Sequence, residues 1–197
     1  MTNDAPPRRY AKGDARRREI LAAALRVISE RGYRNSSLQE IADAVGLTKA
    51  GVLHYFDSRE GLLAEVLRER DAADSADFTP TDGDVVELLS GAVRHNHEVP
   101  GLVELYSRLV VESESLEHPG HAYIGERYKD LETRVGEAIR QRQAAGTART
   151  DIDPAVAARL LIAVSDGLQL QWMHDRTMDM TEAFDAAVAL LAPPAAS

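Results

Sequence analysis

The stretch SLQEIADAVGLTKAGVLHYF, positions 37–56, constrains this chain most, because it spells two short helices meeting at a glycine turn. Ser37 stands three residues before Glu40, the spacing of a capping box in which hydroxyl and carboxylate satisfy free amides at a helix start. Leu38, Ile41, Ala42 and Val45 then recur at i, i+3, i+4 and i+7 as one apolar stripe. Gly46 can take the left-handed conformation that ends the helix, and Thr48 can cap the next one. In that second helix Val52 and Phe56 face inward, while Ala50, Gly51 and His54 point roughly the other way. The small, polar outward face suits close approach to a groove of duplex DNA.

The rest of the chain also reads as helices. Ile20, Leu21, Ala24, Leu25 and Ile28 make the buried stripe of a first helix over 14–31, stopped by Gly32. A fourth helix starts at Asp57 or Ser58, and Leu62, Leu63, Val66 and Leu67 carry it to the polar segment DAADSAD, which with 79–83 is the expected domain boundary. Further helices are expected over 84–96, 101–115 and 121–145. Asp153 followed by Pro154 opens a long one running to 174, whose apolar residues cover more than one face, and a last one spans 181–191. The organisation is therefore all-α, with a basic disordered arm over 1–13, a head over 14–74, a larger helical domain over 83–192 and a tail over 193–197.

An overall charge of −9 suits a DNA binder only once it is divided along the chain. Residues 1–59 hold eleven Lys and Arg against seven Asp and Glu, a balance of +4; the remainder holds twelve against twenty-five, a balance of −13. The basic part is where phosphates would be neutralised. Cysteine is absent, which excludes disulfides and thiolate metal sites. No apolar run approaches the roughly twenty residues of a membrane span, and the N-terminus lacks the hydrophobic segment of a signal peptide. A cytoplasmic protein that associates with DNA is the expectation.

Three consecutive blocks, REILAAALRVISERGY, SLQEIADAVGLTKAGVLHYF and DSREGLLAEVL, together resemble the TetR (tetracycline-repressor) family of transcriptional regulators. That resemblance implies an all-helical homodimer joined through its last two helices, with a three-helix head on a palindromic DNA operator and a C-terminal domain that admits a small organic effector. It implies no cofactor. Carried onto these positions, it puts Lys49 and Gly51 on base edges, Ala50 beside a thymine methyl, and Ser37, Thr48, Tyr55 and Arg59 on phosphates. Leu53 stands where the family usually has tyrosine, so that anchor is either absent or supplied by His54 or Tyr55. Ala50 often corresponds to glycine, and Arg59 to lysine. Arg16, Arg17 and Arg18 are candidate DNA-arm residues.

For the effector, candidate walls are Tyr106, Leu109, Val110, Tyr123, Tyr128, Leu168, Gln171 and Trp172, an apolar set with a few polar groups, only some of which would line any one cavity. His95 with His97, and His118 with His121, have the residue type of metal ligands, but their spacing points them apart, and no metal site is expected. No nucleophile elbow, metal-protease helix or phosphate loop is present, so no catalytic residue is assigned. The expected function is a DNA-binding repressor released by a small molecule. The alternatives are an activator or partner-controlled regulator and, from another class, a helical enzyme or metal-binding module.

Overall fold

Apolar residues at helical spacing, broken by glycines and capping acids, give a chain of nine α-helices and one short 3-10 turn among the described residues, 8–77 and 85–193 of a computed structural model. The elements are α1 (Arg8–Arg31), the 3-10 turn (Tyr33–Asn35), α2 (Leu38–Ala44), α3 (Lys49–Phe56), α4 (Arg59–Asp77), α5 (Val85–Asn96), α6 (Pro100–Glu112), α7 (His121–Ala144), α8 (Pro154–His174) and α9 (Met180–Ala189). Left-handed glycines terminate or link them: Gly32 at φ 79°, Gly46 at φ 64° and Gly146 at φ 74°. Asp153 caps α8 by accepting from the amides of Ala155 at 2.9 Å and Val156 at 3.2 Å.

Two boundaries differ from the sequence expectation. α1 begins at Arg8 rather than 14, because the residues between Pro7 and Asp14 are mostly good helix formers and no proline interrupts them. Of the expected arm over 1–13, positions 1–7 lie outside the described residues, and the rest belong to this helix. The DAADSAD segment is helical too, as the last two turns of α4, because it holds neither glycine nor proline and polarity alone does not break a helix. The rest of the expected boundary, 78–84, and the tail at 194–197 lie outside the described residues.

The core forms two clusters. One joins Ile20, Ile28, Ile41, Val52, Phe56 and Leu62 of α1–α4 to Leu102, Leu105 and Leu109 of α6. The other packs α5, α7, α8 and α9 around Val86, Val135, Ile139, Leu161 and Phe184. Each such side chain contributes roughly 1.5–3 kcal/mol by leaving water. α6 serves both clusters, since Val103 points into the second while Leu102 and Leu105 point into the first. The head is thus continuous with the C-terminal helices.

Candidate nucleic-acid interface

The turn between α2 and α3 is built from local bonds. Ser37 and Glu40 form the capping box: the Ser37 hydroxyl accepts from the Glu40 amide at 3.3 Å and the Ser37 amide donates to Glu40 Oε2 at 2.8 Å. The bond from the Ser37 backbone holds the Glu40 carboxyl below its ordinary range. Thr48 Oγ1 accepts from the Gly51 amide at 3.1 Å, and the Leu47 amide closes the turn on Ala42 O at 2.9 Å. Both cap hydroxyls use their oxygen as acceptor, so each keeps its proton for an outside acceptor.

With Val52 and Phe56 buried, α3 leaves Lys49, Ala50 and His54 exposed; Thr48 just before it is exposed as well, while Gly51, Leu53 and Tyr55 are half-buried. No described residue bonds to the Lys49 ammonium, and the helix N-terminus beside it adds partial positive charge. A Cβ at Gly51 would meet only ordinary contacts, the nearest at 3.4 Å, so packing does not require glycine there. Tyr55 packs partly on the head core. Lys12, Arg16, His54 and Tyr55 line an open concavity of about 670 Å³ between α1 and α3.

The remaining basic residues are more engaged than sequence spacing suggests. Arg16 donates to Glu19 and to the Val45 carbonyl, both at 2.6 Å, clamping α1 onto the end of α2. Arg17 lies 4.7 Å over the Phe56 ring and 3.2 Å from Glu65. Arg18 is exposed, with one 3.4 Å bond to Asp14 O. Arg59 stacks 5.1 Å from the Tyr33 ring and donates to its hydroxyl at 3.3 Å. Tyr33, on whose ring Arg108 also sits at 5.3 Å, escaped the sequence reading because its partners come from α4 and α6.

Residues 20–66 match the pattern of the bacterial regulatory proteins of the tetR family. The repressor AcnR of Corynebacterium efficiens is 30% identical over 158 residues, covering 77% of this chain and 78% of its own. The chain belongs to the TetR family. It is accordingly a DNA-binding transcriptional regulator and not an enzyme. Two solved structures extend the likeness to the C-terminal helices of this TetR-family chain. A transcriptional regulator from Saccharomonospora viridis in complex with choline is 26% identical at TM-score 0.70, over 89% of this chain and 96% of its own. AibR in complex with isovaleryl coenzyme A and operator DNA is 28% identical at TM-score 0.61, over 91% and 99%.

In this TetR-family chain the C-terminal helices enclose a cavity of about 100 Å³ reached by α4, α5, α6, α7 and α8. Tyr106 lines it; the other seven candidate wall residues do not. Leu109 lies in the first core cluster with Val110 packed against it, Leu168 and Trp172 lie in the second, and Gln171 is exposed because it falls on the outer face of α8. Tyr123 and Tyr128 stand one shell behind. Tyr123 donates to Asp71 at 2.6 Å, and Tyr128 to Asp166 at 2.6 Å. Arg127 bridges the two acids, donating from Nε to Asp71 at 2.7 Å and from Nη1 to the Tyr106 hydroxyl at 3.2 Å, which itself donates to Asp166 at 3.2 Å. Burial pushes the Asp166 carboxyl up, against its hydroxyl donors, and pushes the Tyr128 hydroxyl up to about 12. Sequence reasoning missed Asp71, Arg127 and Asp166; the one local signal was Tyr123 and Arg127 at i and i+4 on α7.

The histidines have separate partners. His95 Nδ1 is 2.9 Å from Glu98, and His97 packs edge-on to Trp172 at 5.2 Å. His118 Nδ1 accepts from the Gly120 amide at 3.0 Å, and His121 Nδ1 lies 2.8 Å from Ser113 O. Among the described residues no group of three or more His, Asp or Glu is placed to hold a metal ion, and no helix is long and apolar enough to cross a membrane.

Proposed function

We propose that this TetR-family chain works as a homodimeric repressor that binds a palindromic operator and leaves it when a small organic molecule enters its C-terminal helices. The observation that carries the DNA reading is the outward face of α3, where Lys49, Ala50 and His54 stand exposed beside the exposed Thr48 cap while Val52 and Phe56 hold the helix in place. Lys49 reads a guanine through N7 and O6, worth roughly 1–3 kcal/mol of discrimination for a good contact, with Ala50 and Gly51 close to the base edges. Ser37, Thr48 and Tyr55 donate hydroxyl protons to phosphates, and the α3 N-terminus adds an anion site. Arg59 reaches a phosphate from its seat on Tyr33, and Arg18 is the freest of the three arm arginines.

Dimerisation is supported by Val156, Leu160 and Leu170, apolar residues of α8 that are 48%, 54% and 47% exposed, and by Leu190, 75% exposed just after α9. A Cβ at Gly167 would meet nothing within 4 Å, so that side of α8 is open for an approaching helix. Two heads held by such an interface would present α3 to successive major grooves about 34–36 Å apart. Release by a small molecule is supported by the internal cavity and by the likeness to AibR, whose structure holds isovaleryl coenzyme A and operator DNA.

Selection of genomic fragments on the full-length protein, followed by fluorescence anisotropy, tests this reading. The expected result is an inverted repeat bound at least about 10³-fold more tightly than random duplex. Uniform affinity for all fragments would overturn it.

A further inference from the structure

The cavity among the C-terminal helices has a polarity that names its ligand class, given the reading above that a small molecule occupies it. We propose that it is a site for a short-chain aliphatic carboxylate, anchored on the Arg127 guanidinium, and that this carboxylate competes with Asp71 of α4 for that guanidinium.

Size sets the first limit. A void of about 100 Å³ is smaller than the roughly 150 Å³ cavity that admits benzene, which limits an occupant to about six non-hydrogen atoms, a carboxylate of up to about four carbons. Leu67, Leu89, Val93, Leu131 and Ile162 supply apolar walls for such a tail.

Hydrogen-bonding capacity decides the sign of the head group. Arg127 spends Nε on Asp71 and Nη1 on Tyr106, while its Nη2 donates to no described residue. Its side chain remains 29% accessible and lines the cavity. A guanidinium fork with an unspent arm matches the two oxygens of a carboxylate. Arg70, which donates to Asn96 Oδ1 at 3.4 Å, and Gln169, which donates to the Ser165 carbonyl at 3.4 Å, line the same wall. Among the acceptors, both oxygens of Asp166 take tyrosine hydroxyls, and Asp71 Oδ2 takes Tyr123 and Arg127 together. The face of Tyr106 on which a cationic ligand would stack is covered by Arg127 at 4.6 Å. The Nη2 arm of Arg127 thus faces the cavity unspent, and a carboxylate oxygen is the acceptor that completes it.

Asp71 gives this site a route to the head. It lies on α4, the helix whose Leu62, Leu63, Val66 and Leu67 belong to the core cluster of α1–α3, whereas Arg127 and Tyr123 belong to α7. A carboxylate arriving on Arg127 places a like charge beside Asp71 and takes over its partner, so the ligand loosens α4 from α7.

Calorimetric titration of the full-length protein with butyrate, its uncharged amide butyramide, and tetramethylammonium tests the proposal. Butyrate should bind at least tenfold more tightly than the amide, with no heat from the cation. Arg127→Gln should lower butyrate affinity at least tenfold, and Asp71→Asn should raise it about threefold, a gain that damaged packing would not produce. Ser165 is buried on the α8 wall of the cavity, so Ser165→Leu, which fills the cavity and leaves Arg127 intact, should abolish binding at an unchanged melting temperature and separates loss of the site from loss of the fold. Equal binding of amide or cation, or full butyrate affinity in Arg127→Gln, would overturn the proposal. Operator anisotropy on the same samples separates the two levels. Butyrate that binds without releasing operator supports the site and overturns the Asp71 coupling; release by another metabolite without carboxylate binding overturns the site and leaves the ligand-released repressor standing.

Discussion

Gly101 lies so close to Ile28 that a Cβ built on it would stand 2.2 Å from the Ile28 carbonyl oxygen, which ties the start of α6 to the last turns of α1. The contact is backbone against backbone, so no side-chain movement can relieve it. It joins the DNA-binding head to the C-terminal helices, next to the Arg34–Glu104 pair at 3.0 Å that spans the same junction.

Gly101→Ala is therefore predicted to destabilise the chain. Alanine in a helix gains up to about 1 kcal/mol over glycine, but overpacking of this kind costs about 1–3 kcal/mol, and a clash at 2.2 Å belongs at the upper end. Urea unfolding should show a net loss of about 1–2 kcal/mol. An unchanged midpoint would mean that the two helices separate freely.

Lys49→Ala and Tyr55→Phe should fail differently on DNA. Loss of the exposed lysine should change base preference, whereas loss of the Tyr55 hydroxyl should weaken all sequences alike and lower the salt slope by up to about 1. Phenylalanine is the right replacement because the Tyr55 ring packs on the head core, and alanine would confound affinity with stability. Binding measured over a salt series on matched and mutated operators checks both; identical profiles for the two variants would displace α3 as the reading helix.

If α8 carries the proposed dimer interface, Leu160→Glu yields a monomer. The residue is 54% exposed on the open side of α8, so the substitution leaves the monomer core intact while placing a charge in the proposed interface. Sedimentation equilibrium reads the mass, and a persisting dimer would move the interface elsewhere.

Asp57 adopts φ 57°, ψ −41° at the end of α3, the only non-glycine residue at positive φ among those described, and Ser58 N bonds back to Phe56 O across it. This tight γ-turn strains a residue with a Cβ. Asp57→Gly is expected to stabilise by about 1 kcal/mol, read as a rise of about 2–4 °C in melting temperature. A fall would show that the aspartate side chain outweighs the strain.

Glu40 should give part of the acid sensitivity. Its carboxyl titrates below the ordinary 4.5 because the Ser37 amide bonds its charged form. A depressed folded-state value means that its contribution is present above about pH 4.5 and is lost as pH falls through the folded value. Glu40→Gln should flatten the stability profile in that acid window and leave it sloped elsewhere; an NMR titration placing the Glu40 midpoint at or above 4.5 would contradict the cap.

The helical class, the caps at Ser37, Thr48 and Asp153, the left-handed turn at Gly46 and the family were all legible in the sequence alone. The caps and the turn are local, carried by residues within four positions of one another, and a helix expresses them whatever it packs against; the family is carried by three such blocks in unbroken order. Tertiary structure decided which distant polar groups meet. Asp71 and Arg127 are 56 residues apart and Tyr106 and Asp166 are 60 apart, so no periodicity announces the network that lines the cavity. It also decided that Arg59 rests on Tyr33 and Arg17 on Phe56, and that Gly101, in the sequence only the start of an expected helix, is the point where two backbones touch. The reason is that burial and close approach depend on how whole helices are stacked, which the spacing within any one helix does not encode.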